Sequence, residues 1–139
     1  MSFSNRPRRG RRGAAMIEFG LTFTLFMVFF IATAEGARLM WAWASLAHAT
    51  REGARYAMVH GEANMLTDSD NSIEDTVKAN AIGLEDADIT VAAAWADFDR
   101  ARGTQVEVDS TYTFRFIVGG ITNSQALTLR SRSRVSIAN

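Results

Sequence analysis

A run of 21 residues from Ala14 to Ala34 contains a single charged side chain, that of Glu18. As an α-helix this run would be roughly 31 Å long, which is close to the hydrocarbon thickness of a lipid bilayer. The run therefore predicts a transmembrane helix. No other feature of the sequence constrains the fold as strongly.

The charge distribution predicts an orientation for this helix. Five of the 15 Lys and Arg residues lie within the first 13 residues, and all 15 Asp and Glu residues follow them, so residues 14–139 carry a formal charge of −5. Basic flanks stay on the cytoplasmic side of a membrane. We therefore expect a basic leader at 1–13 in the cytoplasm, a membrane helix at 14–34 and the remaining chain across the membrane.

Glu18 lies inside the predicted membrane helix, where a charge costs on the order of 2.5–3.5 kcal/mol at the helix centre and less near an end. It is close to the cytoplasmic end, so one interpretation is that it reaches the headgroups and has no further role. The other is that it pairs with a cation. Cleavage between Gly13 and Ala14 would create an ammonium group four residues before Glu18.

The sequence around Gly13 resembles the type IV prepilin leader. In that leader a basic segment ends in a glycine, the cut follows, and a glutamate stands fifth after it, as Glu18 does here. The resemblance implies cleavage after Gly13 by a membrane aspartic prepilin peptidase. Ala14 departs from the Phe or Met that is typical after the cut, which leaves N-methylation of the new terminus open.

Two further segments, EGARL at 35–39 and TREGARYA at 50–57, are similar to TadE-like proteins, minor pilin-like components of the Tad (Flp) pilus. The resemblance implies a minor pilin-like (pseudopilin) subunit in the bacterial inner membrane, with a periplasmic C-terminal domain, acting in type IV pilus assembly by helix–helix association. The implied partners are prepilin peptidase, other pilin or minor pilin subunits and the Tad secretion machinery. Whether the subunit enters the fibre, caps it or stays in the membrane is left open.

A different processing route is also compatible with the sequence. Ala32-Thr33-Ala34 resembles a signal peptidase site at the end of an apolar run, and a cut there would release a protein beginning at Glu35. The long apolar run and Glu18 argue against this route. The alternative function is thus a secreted or membrane-anchored envelope binding protein with no role in a pilus.

Residues 35–60 contain no proline and many alanines, so we expect the helix to continue beyond the membrane. Glu52 and Arg55 are three residues apart and can pair. Given the family resemblance, we predict that these two residues and their neighbours in the motif hold the helix against the outer domain or against a neighbouring subunit. These are Arg51, Glu52, Arg55 and Tyr56.

Helical spacing divides the same segment into two stripes, and Trp41 and Trp43 lie where indoles favour the membrane interface. The predicted polar stripe is Arg38, Ser45, His48, Glu52 and Arg55. The predicted buried stripe is Met40, Trp43, Ala47, Ala54 and Met58.

Residues 61–139 predict a small α+β domain. Gly61–Asn71 is interpreted as a connection, and Ser72 with Asp75 as a capping box that opens a short helix closed by Gly83. Alternating apolar and polar residues predict three half-buried antiparallel strands. The strands are Ile89–Trp95, Gln105–Phe116 and Ala126–Ile137, with 117–125 connecting the last two.

Arg130, Arg132 and Arg134 alternate along the polar face of the third strand. They could bind a polyanion such as nucleic acid, but the acidic balance of the domain favours pairing with Glu107 and Asp109 across the sheet. We therefore expect no nucleic-acid partner.

The sequence contains no motif that we recognise for catalysis, nucleotide binding or metal binding. It lacks cysteine, a nucleotide-binding loop and a nucleophile elbow, and acidic residues 68–74 lack the glycine and terminal glutamate of a calcium loop. His48 and His60 are twelve residues apart without a carboxylate at motif spacing. We therefore expect neither enzymatic activity nor a cofactor nor a metal site.

Overall fold

The computed structural model describes residues 9–60, 69–96, 103–117 and 126–136, with side chains described from residue 13 in the first range and from residue 72 in the second. The chain forms two compact units, which we call the N-terminal unit (residues 1–37) and the C-terminal unit (residues 38–139). The elements are α1 (Arg9–His60), α2 (Ser69–Asn80), a short 3-10 helix (Asp86–Asp88), β1 (Ile89–Trp95), β2 (Gln105–Phe114) and β3 (Leu127–Ser136). The predicted α+β fold is confirmed.

Helix α1 is 52 residues long and contributes to both units. The only proline of the chain, Pro7, precedes it, and its sequence is rich in strong helix formers such as Ala, Leu and Met. Residues 38–60 of α1 form one wall of the C-terminal unit. The predicted continuation of the apolar helix is therefore confirmed.

The core of the C-terminal unit lies between α1, α2 and one face of the sheet. Leu46 and Ala49 of α1, Val77 of α2 and Val106 and Val108 of β2 are completely buried. One cluster contains Ala49, Val77, Val106 and Val108 together with Ile73, Ala81 and Ile89. A second cluster contains Leu46 with Ala42, Phe114 and Leu129. Burial of these side chains supplies the main stabilisation of a unit that contains no disulfide.

The predicted buried stripe of α1 is confirmed at Ala54, which is buried, and is wrong at Met40 and Trp43; Ala47 and Met58 are half-buried. Met40 is 69% exposed and Trp43 is 53% exposed, whereas smaller side chains make the contact face. Helical spacing was correct, but the face was placed wrongly, because α2 and the sheet approach α1 too closely to accommodate a tryptophan. Residues of the actual face are Ala42, Leu46, Ala49, Thr50, Gly53, Ala54 and Ala57.

The sheet is antiparallel with the order β1-β2-β3. Tyr112 of β2 pairs with Ile89 of β1 and with Leu129 of β3, which fixes the register on both sides. The three predicted strands are confirmed, with β2 ending at Phe114, two residues earlier than expected. The predicted inner face of β2 is buried or half-buried, and the arginines of β3 are exposed.

Helix α2 begins at Ser69, so Ser72 lies within the helix and the predicted capping box is wrong. Asp68, Ser69 and Asp70 are equally suitable at a helix start, and the sequence alone did not distinguish them from Ser72. After Asn80 the chain turns, with Leu84 N–H donating to the Ala81 carbonyl at 3.1 Å, and Gly83 adopts a φ of 78°. Of the predicted connections at 61–71 and 117–125, residues 61–68 and 118–125 lie outside the described residues, whereas residues 69–71 belong to α2 and not to a connection.

Candidate membrane and assembly surface

The N-terminal unit presents an exposed apolar helix at residues 13–34. Among its described side chains, residues 13–34 are all exposed apart from the half-buried Met27. The most apolar 18-residue window of α1 has a mean hydropathy of 2.0, and none of it is buried. By length and composition, α1 is the one helix in the described part of the chain that could span a membrane.

Two threonine hydroxyls within this apolar stretch are satisfied inside the helix itself. The Thr24 hydroxyl donates to the Gly20 carbonyl at 2.8 Å, and the Thr33 hydroxyl donates to the Phe29 carbonyl at 2.9 Å. Internal hydrogen bonds of this kind remove the desolvation cost that a free hydroxyl would meet in hydrocarbon. The surface is therefore chemically suited to lipid or to other apolar helices.

Glu18 and the predicted cleavage site lie on α1. Gly13, Ala14 and Glu18 are exposed, and the Gly13–Ala14 bond is inside the helix, one turn before Glu18. Within the described residues, Glu18 makes no ion pair. The structure thus leaves its carboxylate available to a group outside the chain or to an ammonium formed at Ala14.

The TREGARYA motif divides into two faces of α1. Thr50, Gly53, Ala54 and Ala57 are buried, whereas Arg51 and Arg55 are exposed. The Thr50 hydroxyl donates to the Leu46 carbonyl at 2.7 Å, so this buried polar group is satisfied. The small residues of the motif therefore belong to the core of the C-terminal unit, and its arginines to the surface.

Gly53 allows α1 and α2 to approach closely. A Cβ atom built on Gly53 would lie 2.4 Å from Cγ2 of Val77 and 3.7 Å from Cγ2 of Ile73. Real Cβ atoms do not approach other heavy atoms to 2.4 Å, so any side chain at this position would force the helices apart. The small residues of this segment, Gly53 among them, predict such a close approach from the sequence, and the structure shows it at Gly53.

The remaining predicted residues of this segment form no common cluster. Within the described ranges no ion pair joins Glu52 to Arg55, so the expected pairing of these two residues does not form. Tyr56 is half-buried against the core, and its ring stacks on that of His60 with centroids 4.2 Å apart. Any role of Arg51 and Arg55 against a neighbouring subunit stays a prediction.

At the start of the C-terminal unit, Arg38 covers part of the second core cluster. Its guanidinium carbon lies 5.2 Å from the centre of the Phe114 ring, a cation–π geometry. Phe114 also meets Phe116 edge to face at 5.1 Å. Glu35, from the EGARL segment, is buried to 9% exposure. The EGARL segment thus includes residues with structural roles, which its charges alone did not indicate.

The outer face of the sheet carries a ladder of charged side chains, as predicted. Asp109 accepts from Arg130 Nε at 2.8 Å and from Arg132 Nη2 at 3.0 Å. Arg132 Nε also lies 2.7 Å from Glu107, which pairs with Arg134 as well. All three arginines are therefore engaged by carboxylates within the sheet, which argues against a free polyanion site here.

The ladder shifts the pKa values of Asp109 and Arg130. The hydrogen bond from Arg130, reinforced by Arg132, holds the pKa of the Asp109 carboxyl below its usual range. The same hydrogen bond raises the pKa of Arg130. On α2, the hydrogen bond to Glu74 raises the pKa of Lys78. These shifts mark surface ion pairs and do not mark a catalytic group.

Few features of the described residues could hold a small ligand. A shallow pocket of about 200 Å³ lies at one end of the sheet, lined by residues that include Trp95, Gln105 and Arg134. The described part of the chain gathers no group of three His, Asp or Glu side chains that could bind a metal ion.

The structure defines a class of protein with one long N-terminal apolar helix that can span a membrane and a small α+β unit that follows it. Within that class, the family model described as TadE-like protein matches residues 13–55. The match covers the Gly13–Ala14 junction, the apolar run and most of the TREGARYA motif. The predicted resemblance to TadE-like proteins is thereby confirmed for this segment. Comparisons with curated proteins and with solved structures gave no match.

Proposed function

We propose that this protein is a minor pilin-like subunit of a Tad pilus that acts in assembly through its apolar helix. The observation that carries the proposal is the apolar surface of residues 13–34, exposed along a helix that the TadE-like match covers. A surface of this size requires lipid or other apolar helices around it. In this proposal the protein works by association with other subunits and is not an enzyme.

Processing after Gly13 by a prepilin peptidase belongs to the same proposal. The five arginines of the leader keep the uncut chain in the inner membrane with its N-terminus in the cytoplasm, because they resist passage through hydrocarbon. Their removal allows the helix to leave the bilayer for a bundle of pilin helices. The partners are the peptidase, other pilin or minor pilin subunits and the Tad secretion machinery.

Glu18 then acts as the assembly residue. The ammonium formed at Ala14 is one helical turn away, so Glu18 can pair with it in the same helix or in a neighbouring one. Pairing offsets the cost of a carboxylate in an apolar bundle and selects one register between helices.

The test is a pair of substitutions, Glu18→Ala and Glu18→Gln, in cells that make the pilus. Both variants should insert and be cleaved, because neither changes the leader, yet pilus number should fall strongly, because both remove the charge. Thr24→Val is the matched control in the same helix, since its hydroxyl donates to the Gly20 carbonyl of that helix. A normal number of pili with Glu18→Ala would contradict the role of Glu18.

The exposed arginines of the TREGARYA motif are proposed to contact a neighbouring subunit. In the same assay, Arg55→Ala should lower pilus number without lowering the amount of protein, because Arg55 is exposed and contributes little to the core. Unchanged pilus number would remove Arg55 from the interface.

A further inference from the structure

Exposed apolar side chains from several segments gather at one end of the C-terminal unit. We call this set the junction rim, because the chain enters the unit at that end through Arg38. Its members are between 41% and 67% exposed, which is a large exposure for apolar side chains of this size. They are Trp41, Trp43, Ile82, Ile117 and Leu127.

Contacts of the first α1 residues in the unit place these segments together. The Ser45 hydroxyl donates to the Ile82 carbonyl at 2.9 Å. A Cβ on Gly83 would lie 3.3 Å from Nε1 of Trp41, so the turn after α2 lies beside this indole. Ile82 and Trp41 are therefore on the same side of α1.

The ends of two strands complete the rim on another side. Leu127 pairs with Phe114, which packs in one cluster with Ala42 and Leu46 of α1. Phe116 and Leu39 pack against the same cluster, and Ile117 follows directly in the chain. The opposite end of the sheet, where Val106 is buried, lies instead against the cluster that contains Ala54 and Ala57.

The arrangement of the rim around α1 indicates what covers it. Successive helical residues are about 100° apart, so Trp41 and Trp43 point to nearly opposite sides of the helix. A single protein partner would cover only one of these two sides of α1, whereas the headgroup region of a bilayer would cover both. Indoles also favour the region between headgroups and hydrocarbon, and Trp41 follows the end of the apolar run at Ala34 by seven residues.

Charges at this end of the unit are mixed. Arg115 is exposed and pairs with Asp88 at 2.7 Å, and Arg38 lies over Phe114. Glu85 and Asp86 are exposed in the segment just after Gly83. Because the basic and acidic groups offset each other, apolar contact with the bilayer outweighs attraction to anionic headgroups.

We propose that the junction rim lies in the headgroup region of the bilayer, so that the C-terminal unit binds lipid with side chains outside the spanning helix. This inference rests on the proposed membrane anchoring of residues 14–34. A subunit that leaves the bilayer for a pilus would have to cover the rim again with protein, which links extraction from lipid to assembly.

The absence of cysteine from the chain allows a direct test with single spin labels. Ile82→Cys and Ile117→Cys report on the rim, Ala94→Cys is the matched control at an exposed position of β1, and Phe26→Cys reports on the spanning helix. Each labelled full-length protein is reconstituted in phosphatidylcholine vesicles at low protein density. Collision rates with lipid-soluble oxygen and with a water-soluble nickel chelate are then measured.

Labels at 82 and 117 should show an oxygen-to-nickel ratio several-fold above that of position 94 and below that of position 26. Ratios equal to that at 94 would overturn the proposal, and shielding from both reagents would overturn it in favour of a protein partner. The label at position 26 distinguishes two kinds of failure. If the rim labels are in water and position 26 is in lipid, only the proposal for the rim is overturned. If position 26 is also in water, the proposed membrane anchoring is overturned as well.

Discussion

Gly53 shows how a single residue determines the spacing of two helices. Val77, the side chain that faces it, is completely buried and β-branched, so it has neither room nor an easy alternative rotamer. The glycine therefore permits the short distance between α1 and α2 that the packing of the core requires. This gives a physical reason for glycine at the centre of the TREGARYA motif.

Gly53→Ala should destabilise the C-terminal unit by roughly 1–2 kcal/mol, because the overlap with Val77 exceeds the gain in helix propensity. Gly36→Ala is the matched control, since a Cβ there would meet no atom within 4 Å. Thermal unfolding of the full chain in detergent measures both. A Tm for Gly53→Ala equal to that of the unsubstituted protein would show that α2 adjusts freely.

Among the elements, the sheet depends on charge on one face and on apolar packing on the other. The cross-strand contacts of Asp109 with Arg130 and Arg132 tie β2 to β3 where no apolar side chain is available. Exposed ion pairs contribute little singly, but two arginines share this carboxylate. Asp109 is therefore the residue of the ladder with the largest expected effect.

Asp109→Asn should lower the Tm by a few degrees at pH 7, because it removes the charge that both arginines bind. The pKa of Asp109 is depressed in the folded protein, so its contribution is complete above the unfolded value of about 3.9 and is lost as pH falls through the folded value. The difference from the unsubstituted protein should thus shrink below about pH 4. Asp75→Asn, on the exposed side of α2, is the control. An equal difference at pH 7 and pH 3 would contradict the assignment.

The predictability of each element from sequence follows from how local its cause is. The strands could be predicted because alternation of apolar and polar residues is a property of neighbouring residues, and β1 has the bounds that its pattern indicated. The buried face of α1 could not be predicted in the same way, because its position depends on how closely α2 approaches Gly53. The long apolar helix and the charged ladder could be predicted from composition and spacing alone, whereas the start of α2 had several equivalent cap residues.

At the scale of the whole molecule, the chain combines an apolar unit that cannot be left in water with a small unit that has its own core. The TadE-like match covers residues 13–37 of the first and residues 38–55 of the second. The proposed role in a pilus therefore depends mainly on the N-terminal unit and its processing. The C-terminal unit contributes the rim and the arginines that would contact lipid and neighbours.

Processing is the most direct test of this account. The N-terminal residue of the mature protein is determined by intact mass, in cells with and without the cognate prepilin peptidase. The account predicts a protein that begins at Ala14 only when the peptidase is present. A protein that begins at Glu35, or an uncut chain in both cases, would contradict it and would indicate a secreted or permanently anchored envelope protein.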